Sequence, residues 1–234
     1  MKNQESIIVF DQERASNYDQ QFAKLAPMRQ GLDLSIRIVL SELPDNARIL
    51  CVGVGTGREL IYLAQQFPQW QFTAVEPAAP MLDICRQKAE EYGIASRCTF
   101  HQGYLDSLPA SDAFDAATCI WVSHFMTQLK ERRNFFRQIS ARLRPNGYLV
   151  SSDLASDMST PAYKSLLEVS RRMFEYSEIP TEEIEKLLGT YGRDVAILPP
   201  QEVESLLALS GFNTPVLFFQ TFLIHAWYAK RSHL

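Results

Sequence analysis

The 234-residue sequence has few cysteines, no long hydrophobic run and no excess of basic residues. Its four cysteines form no Cys-x-x-Cys pair, which argues against a zinc knuckle and against a disulfide framework. No apolar stretch approaches the roughly 20 residues of a membrane-spanning helix, and the N-terminus lacks the basic and apolar regions of a signal peptide. We therefore expect a soluble, cytoplasmic protein with reduced thiols, no bound metal ion and no membrane partner.

The charge balance is slightly acidic, with 23 Lys and Arg against 27 Asp and Glu and a formal net charge of −4. Nucleic-acid binding usually needs a concentrated basic face, whereas the basic residues are scattered here, apart from short pairs such as Arg132-Arg133. A local basic patch remains an open alternative. The hydrophobic content of 46% indicates a globular protein with a sizeable core. The composition therefore does not favour nucleic acid as a partner.

Short β-rich runs alternate with helical patterns through the first two thirds of the chain. The connections are short and the β-rich runs are nearly continuous in apolar residues, which predicts parallel strands covered by helices on both faces. The right-handed crossover rule then favours an open, doubly wound α/β sheet. The predicted strands are 48–53, 71–77, 98–103, 114–122 and 148–154; the helices between them are 58–67, 79–92 and 128–143, and "RPNG" (144–147) is a predicted turn.

Two segments depart from this alternation. Residues 155–198 contain two amphipathic helical patterns, which we interpret as a helical cap, and residues 1–30 form an N-terminal lead-in. After a helix that ends at Gly211, two β-rich runs follow one another with no room for a crossover, which predicts an antiparallel hairpin at the sheet edge. We expect a single Rossmann-like domain over residues 1–234, with the lead-in and the insert forming a lid over the carboxyl ends of the strands.

The loop "GVGTG" (53–57) follows the first predicted strand and precedes a helix. In open parallel sheets, ligands bind beyond the carboxyl ends of the strands, and glycines allow close approach to the backbone. The spacing differs from the dinucleotide fingerprint, because Arg58 stands where the third glycine belongs, and no P-loop lysine follows. Glu76 ends the second predicted strand, 21 residues after Gly55, close to the roughly 20 expected for a carboxylate that binds ribose hydroxyls. Together the two features predict a nucleoside site.

Four stretches taken together resemble the class I S-adenosylmethionine-dependent methyltransferase family. They are "ILCVGVGTGREL", "FTAVEPAAPMLDICRQKA", "FDAATCIWVSHFM" and "LRPNGYLVSSDL", and the resemblance covers residues 10 to about 154. It implies a mostly parallel seven-stranded sheet of order 3-2-1-4-5-7-6 with the last strand antiparallel, S-adenosyl-L-methionine as the cofactor, and methyl transfer. It does not specify the substrate.

The same resemblance implies which residues bind the cofactor. Glu76 would accept hydrogen bonds from both ribose hydroxyls. The other implied positions are Gly53, Gly55 and Gly57 at the methionine end, Pro77 and Met81 at the ribose and adenine, Tyr104 and Leu105 beside the adenine, Ile120 near the sulfonium, and Tyr18 as a residue that closes over the cofactor.

The sequence departs from the family pattern at two positions. The family usually has an acid where Cys51 stands and another where Tyr104 stands. The first change removes a negative charge near the cationic end of the cofactor. The second removes an acceptor for the adenine amino group, although an aromatic ring offers a stacking surface instead. Weaker cofactor binding, or a variant cofactor, follows from these changes.

His124 is the candidate catalytic residue, since it follows the fourth predicted strand on the ligand side of the sheet. It would act as a general base for a hydroxyl substrate, and the alternative is a packing or capping role. Met173 and Phe174 in the insert would line an apolar substrate pocket or would only bury the inner face of their helix. Arg171 and Arg193 would meet an acidic substrate or remain solvated.

Three functions remain open at this point. The leading one is an S-adenosylmethionine-dependent methyltransferase that acts on a small or medium-sized molecule. The second is the synthesis of carboxy-S-adenosylmethionine, because the lead-in and the C-terminal hairpin diffusely resemble carboxy-S-adenosylmethionine synthases, which are enzymes of tRNA modification. In those enzymes an arginine of the insert holds the extra carboxylate, and Arg193 is its nearest positional match. This resemblance also implies a homodimer. The third is a cofactor-binding module that has lost catalysis, which the residues at Cys51 and Tyr104 make conceivable.

Overall fold

The computed structural model describes residues 10–232, so the first nine residues of the predicted lead-in and residues 233–234 lie outside the described part of the chain. Strands and helices alternate within it much as the sequence pattern predicts. The helices are α1 Gln12–Gln21, α2 Ala26–Leu40, α3 Arg58–Gln66, α4 Ala79–Glu91, α5 Leu129–Arg142, α6 Pro161–Tyr176, α7 Thr181–Leu188 and α8 Pro200–Ala208. The strands are β1 Arg48–Val52, β2 Gln71–Glu76, β3 Cys98–Gln102, β4 Phe114–Ile120, β5 Leu143–Leu154, β6 Phe212–Thr221 and β7 Ile224–Arg231.

The strands form one seven-stranded sheet of order β3-β2-β1-β4-β5-β7-β6. Strands β1 to β5 pair in parallel, and β7 runs antiparallel to both β5 and β6. The predicted doubly wound sheet and its antiparallel last strand are therefore confirmed. The hairpin turns at Phe222 and Leu223, where Phe222 adopts a φ of 53° in place of the usual glycine or asparagine.

The sheet separates two buried apolar layers, because successive side chains of a strand point to opposite faces. On β1, Ile49 and Cys51 face the layer under α2, α3 and α4. Leu50 and Val52 face the layer under α5 and α8. This double burial explains why the strand reads as a continuous apolar run, and it places the carboxyl end of β1 between helices on both faces.

The predicted turn over residues 144–147 is wrong as an element boundary. Strand β5 already begins at Leu143, which pairs with Phe114, and the next pair joins Ala116 to Tyr148. The four intervening residues form a bulge within the strand, with Asn146 at a φ of 61°. Asparagine tolerates this left-handed conformation, so the residues that indicate a turn also suit a bulge.

The insert and the lead-in both contact the core of the fold. The ends of the insert meet where Ser156 N donates to Leu198 O at 2.9 Å. Helices α6 and α7 of the insert pack together around Phe174 and Ile184. In the lead-in, Asp11 caps α1 by accepting a hydrogen bond from Arg14 N at 2.9 Å. The insert contacts the segment after β4, where Ala196 N donates to His124 O at 2.7 Å, and the lead-in contacts the glycine loop, where Thr56 Oγ1 donates to Asp19 at 3.0 Å.

Candidate functional site

The glycine loop joins β1 to α3 through a backbone that side chains would not allow. Gly53 and Gly57 have φ values of 65° and 84°. A Cβ atom at Gly57 would lie 2.5 Å from Cys85 Sγ, and one at Gly53 would overlap the side chain of Val122. Both the dihedral angles and the space therefore require glycine, and the turn presents bare main chain. Helix α3 begins at this turn without a side-chain cap among the described residues. Its first N–H groups are therefore free to face the space beyond the carboxyl ends of β1 and β2, which we call the crevice.

Glu76 is fixed against this loop at the end of β2. It is 8% exposed, and its Oε2 accepts from Gly55 N at 3.0 Å while Oε1 accepts from Ala78 N at 3.0 Å. Burial raises the pKa of Glu76, and the two backbone N–H groups offset only part of that rise. Each carboxylate oxygen has a second lone pair. The carboxylate can therefore accept further hydrogen bonds from a ligand diol while it stays attached to the loop.

The other residues implied to bind the cofactor range from buried to exposed. Met81 is buried next to the loop, with its Cε 3.4 Å from the position a Cβ of Gly55 would take. Pro77 is exposed and Ile120 is half-buried beside the core. Tyr104 is 63% exposed. The side chain of Leu105 packs into the core on the α5 side, so only its main chain would be available to an adenine.

A cavity of about 200 Å³ lies next to the crevice and is lined mostly by apolar and aromatic side chains. Tyr18 and His124 are both in its wall, so the structure brings these two predicted site residues together. The wall draws on the lead-in, the segment after β4, the insert and the turn of the C-terminal hairpin. The aromatic residues that line it are Phe10, Tyr18, Phe22, Trp121, Phe125, Phe174, Tyr191, Phe219 and Phe222.

His124 belongs to a buried polar cluster beneath this cavity. Its Nδ1 lies 3.2 Å from Oδ1 of Asp153, and its backbone N donates to the same oxygen at 3.0 Å. Asp153 and Arg132 are both 0% exposed, and their Oδ2 and Nη2 atoms are 3.0 Å apart. Ser123 Oγ donates to Asp153 at 2.7 Å and accepts from Arg132 Nε at 2.8 Å. The cluster holds the imidazole ring of His124 at the cavity wall.

Asp153 is the charged centre of this cluster, at the end of β5. Burial alone would raise the pKa of its carboxyl group, but Arg132, His124 and Ser123 outweigh burial and hold the pKa below its usual value. The carboxylate is therefore ionised near neutral pH. Nδ1 of His124 faces this carboxylate at 3.2 Å but forms no hydrogen bond within the described part of the chain. The contact leaves Nε2 on the opposite side of the ring.

The lead-in helix α1 connects the loop to the cavity. Asp19 accepts a hydrogen bond from Thr56 Oγ1 of the glycine loop at 3.0 Å and forms an ion pair with Lys88 of α4. The preceding residue, Tyr18, faces the cavity instead. Burial raises the pKa of the Tyr18 hydroxyl despite the nearby charge of Arg29, so the phenol stays protonated near neutral pH.

Several residues of the site could not be identified from the sequence pattern. Asp153 and Arg132 meet from separate elements, although an aspartate inside the apolar run of β5 is itself an unusual feature. Glu59 is buried in the first turn of α3, where burial raises its pKa to about 7. Burial and this nearby acid together raise the pKa of the Cys51 thiol. An acid thus lies beside Cys51 even though the strand position has lost its own.

Residues 49–147 match a family described as a methyltransferase domain. Together with the sheet order and the glycine loop, this match identifies residues 49–147 as part of a class I S-adenosylmethionine-dependent methyltransferase domain. The carboxy-S-adenosyl-L-methionine synthase of Campylobacter jejuni is 24% identical over 226 residues, which cover 89% of this chain and 93% of that protein. The synthase of Campylobacter lari is 28% identical over 214 residues, or 87% of this chain and 86% of that protein.

Solved structures share the fold at lower identity. A putative O-methyltransferase from Nostoc punctiforme has a TM-score of 0.67 and 19% identity, and the match covers 92% of this chain and 60% of that one. The chain thus spans about three fifths of that O-methyltransferase. Within residues 10–232, no helix has the length and apolar character needed to cross a membrane.

The residues around the loop fit the adenosyl cofactor of this class of enzyme. A nucleoside needs close access to main chain and a diol acceptor at the end of the second strand. The turn at Gly53–Gly57 supplies the first, since Cβ atoms at two of its glycines would clash with neighbouring side chains. Glu76 supplies the second. The amino-acid portion of the cofactor would meet the uncapped N-terminus of α3 and the acid at Glu59.

Proposed function

We propose that this enzyme transfers a methyl group from S-adenosylmethionine to a hydroxyl group of a small molecule bound in the cavity beside His124. The observation that carries this proposal is the position of His124, which lines a mainly apolar cavity next to the cofactor crevice and has the buried carboxylate of Asp153 3.2 Å behind its Nδ1. The solved O-methyltransferase that shares the fold supports the same reaction class.

S-adenosylmethionine, when bound, supplies a methyl group already activated by its sulfonium centre. The protein then has to hold cofactor and acceptor in line, and such alignment lowers barriers by up to about 7–11 kcal/mol. In this proposal Gly53, Gly55 and Gly57 accommodate the methionine portion, and Glu76 binds the ribose. Pro77, Met81, Tyr104, the main chain of Leu105, and Ile120 surround the rest.

His124 acts in this proposal as the general base. Asp153 faces Nδ1, so Nε2 is the atom that takes the proton of the substrate hydroxyl as the oxygen attacks. The developing positive charge on the imidazole ring is compensated by the same carboxylate, which Arg132 keeps ionised. Asp153 is a positioning residue, because it acts through His124 and does not line the cavity.

The lead-in and the insert form the lid in this proposal. Tyr18 and Phe174 come from these two segments and lie in the same cavity wall. Asp19 attaches the lead-in to the glycine loop through Thr56. Closure of both segments over the site would exclude water during transfer. The homodimer expected from the sequence remains a prediction, and sedimentation equilibrium tests it.

Carboxy-S-adenosylmethionine synthesis is the second candidate, favoured by similarity over most of the chain to the Campylobacter enzymes. Arg193, the nearest positional match to the arginine that holds the extra carboxylate in such synthases, does not support this second candidate. The side chain of Arg193 is 67% exposed, pairs with Asp194 at 2.7 Å and does not line the cavity. Mass spectrometry of ligand retained through purification separates the two candidates, since the carboxylated cofactor is heavier. A module without catalysis would bind the cofactor and transfer nothing.

The test uses S-adenosylmethionine with an isotopically labelled methyl group and a panel of hydroxylated small molecules. We expect label transfer by the wild-type protein and a loss of about 10²–10⁴ in rate for His124→Gln. The affinity for S-adenosylhomocysteine should stay unchanged in that variant. His101→Gln is the matched control, because His101 bonds to Ser107 Oγ at 2.9 Å outside the cavity. An unchanged rate in His124→Gln would exclude the histidine as the base.

A further inference from the structure

Arg29 of α2 occupies an unusual place in the cavity wall. Its guanidinium carbon lies 4.9 Å from the ring centroid of Phe22, 5.2 Å from that of Trp121 and 5.7 Å from that of Tyr18. Three aromatic rings, two from the lead-in and one from the segment after β4, therefore surround one cation. Aromatic faces stabilise a cation, but they replace only part of the hydration that it loses on burial. The guanidinium group retains its capacity for an oxyanion partner.

The carboxylates nearest to Arg29 already have other partners. Asp33 forms two hydrogen bonds with Arg58, at 2.5 and 3.0 Å. Asp19 pairs with Lys88 and accepts from Thr56. Among residues 10–232, no Asp or Glu side chain forms an ion pair with Arg29, so the protein itself supplies it with no counter-ion.

The composition of the cavity wall also favours a negatively charged ligand. Its charged side chains are Arg14 and Arg29, and no Asp or Glu of the described residues lines it. This is a positive, largely apolar cavity in a protein whose formal net charge is −4. Such a cavity favours a ligand with an apolar body and one negative group.

Trp121 provides an independent observation. It directly follows β4 and has a φ of 59°, an uncommon conformation for a bulky residue and one that often occurs at functional sites. Its indole Nε1 is buried and has no acceptor within the described part of the chain. Buried donors are nearly always paired in folded proteins, so an acceptor is missing beside Arg29.

We propose that the substrate carries a carboxylate that binds Arg29, with its apolar or aromatic body against the rings of Tyr18, Phe22 and Trp121. This inference rests on the proposed function for the identity of the cavity as the substrate site. The planar guanidinium group suits a carboxylate, because two parallel N–H donors match its two oxygens. The hydroxyl to be methylated then lies at the His124 end of the same cavity.

The experiment measures binding and not turnover. Isothermal titration calorimetry of the protein saturated with S-adenosylhomocysteine compares para-hydroxybenzoate, para-hydroxyphenylacetate and para-coumarate with their primary amides. Each pair has nearly the same shape and differs in charge. We expect at least one acid to bind about tenfold or more tightly than its amide. Arg29→Met should abolish this preference, and Arg29→Lys should retain part of it.

Arg193→Gln is the matched control, because it removes an exposed arginine outside the cavity and should leave the preference intact. The wild-type comparison tests the proposal even if Arg29→Met does not fold. Equal binding of every acid and its amide would overturn the proposal, as would an undiminished preference in Arg29→Met. Preference for phenyl phosphate over all three acids would overturn the choice of carboxylate.

The two proposals fail in different ways. Acids that bind at Arg29 without any methyl transfer would refute the proposed function and leave the anion site intact. Transfer to neutral hydroxylated molecules, together with equal affinity for acids and amides, would refute the anion site alone.

Discussion

Replacing Asp153 by asparagine removes the charge that compensates the buried guanidinium of Arg132. Both side chains are 0% exposed, so neither water nor salt can screen the cation that remains. Removing one partner of a buried ion pair typically costs about 3–5 kcal/mol. Proteins of this kind are stable by about 5–15 kcal/mol, so the variant should lose a large part of its stability.

Urea unfolding followed by circular dichroism measures this loss. We expect Asp153→Asn and Arg132→Met each to lower the free energy of unfolding by about 3–5 kcal/mol. The double variant should lose clearly less than the sum, because no uncompensated charge remains. A loss below about 1 kcal/mol in Asp153→Asn, or an additive double variant, would refute the reasoning.

The pH dependence gives a second check on the same residue. The pKa of Asp153 is lower in the folded protein than in the unfolded chain. Its contribution is therefore present above the unfolded pKa, about 4, and is lost as the pH falls through the folded pKa. The stability difference between wild type and Asp153→Asn should shrink as the pH falls below about 4. A difference that is constant with pH would contradict the assigned ionisation.

Two further predictions concern the glycine loop and its surroundings. Burial raises the pKa of Glu59 to about 7, so the stability that the protonated carboxyl group contributes is lost as the pH rises from about 4 to 7. In thermal melts, Glu59→Gln should therefore be more stable than the wild type by up to about 3 kcal/mol near pH 8 and equally stable near pH 4. Gly57→Ala should lose more than about 1 kcal/mol in urea unfolding, because the φ of 84° and the Cys85 sulfur both disfavour a methyl group. Gly57→Ala with wild-type stability, or Glu59→Gln with no pH-dependent gain, would contradict these assignments.

The sequence was sufficient to predict the sheet and to place the glycine loop and Glu76 at the same edge of it, where Gly55 N donates to Glu76. The alternation of elements predicts a doubly wound sheet, and the family resemblance implies its strand order. The glycine loop and Glu76 each follow or end a predicted strand, so their positions can be predicted from the local sequence. The cavity is different. Arg29 meets Trp121 only because α2 and the segment after β4 pack together, and local periodicity holds no information on such long-range contacts.

The ends of the helices and strands were harder to predict than their presence, because the ends also depend on long-range packing. Leu129 is apolar and lies in the predicted helix 128–143, yet it is exposed at the first position of α5. A helical pattern gives the direction of a face but not where its packing partner ends. The bulge at Asn146 shows the same limit, since turn residues also suit an irregular strand.

Calorimetry with S-adenosylhomocysteine tests the central claim, that the glycine loop and Glu76 together bind the adenosyl cofactor. We predict one site per chain in the wild-type protein and a loss of about 1.5–3 kcal/mol for each ribose hydrogen bond removed in Glu76→Ala. Glu90→Ala, an exposed acid on α4, should bind as the wild type does. No binding by the wild-type protein, or equal affinity in Glu76→Ala, would contradict the account.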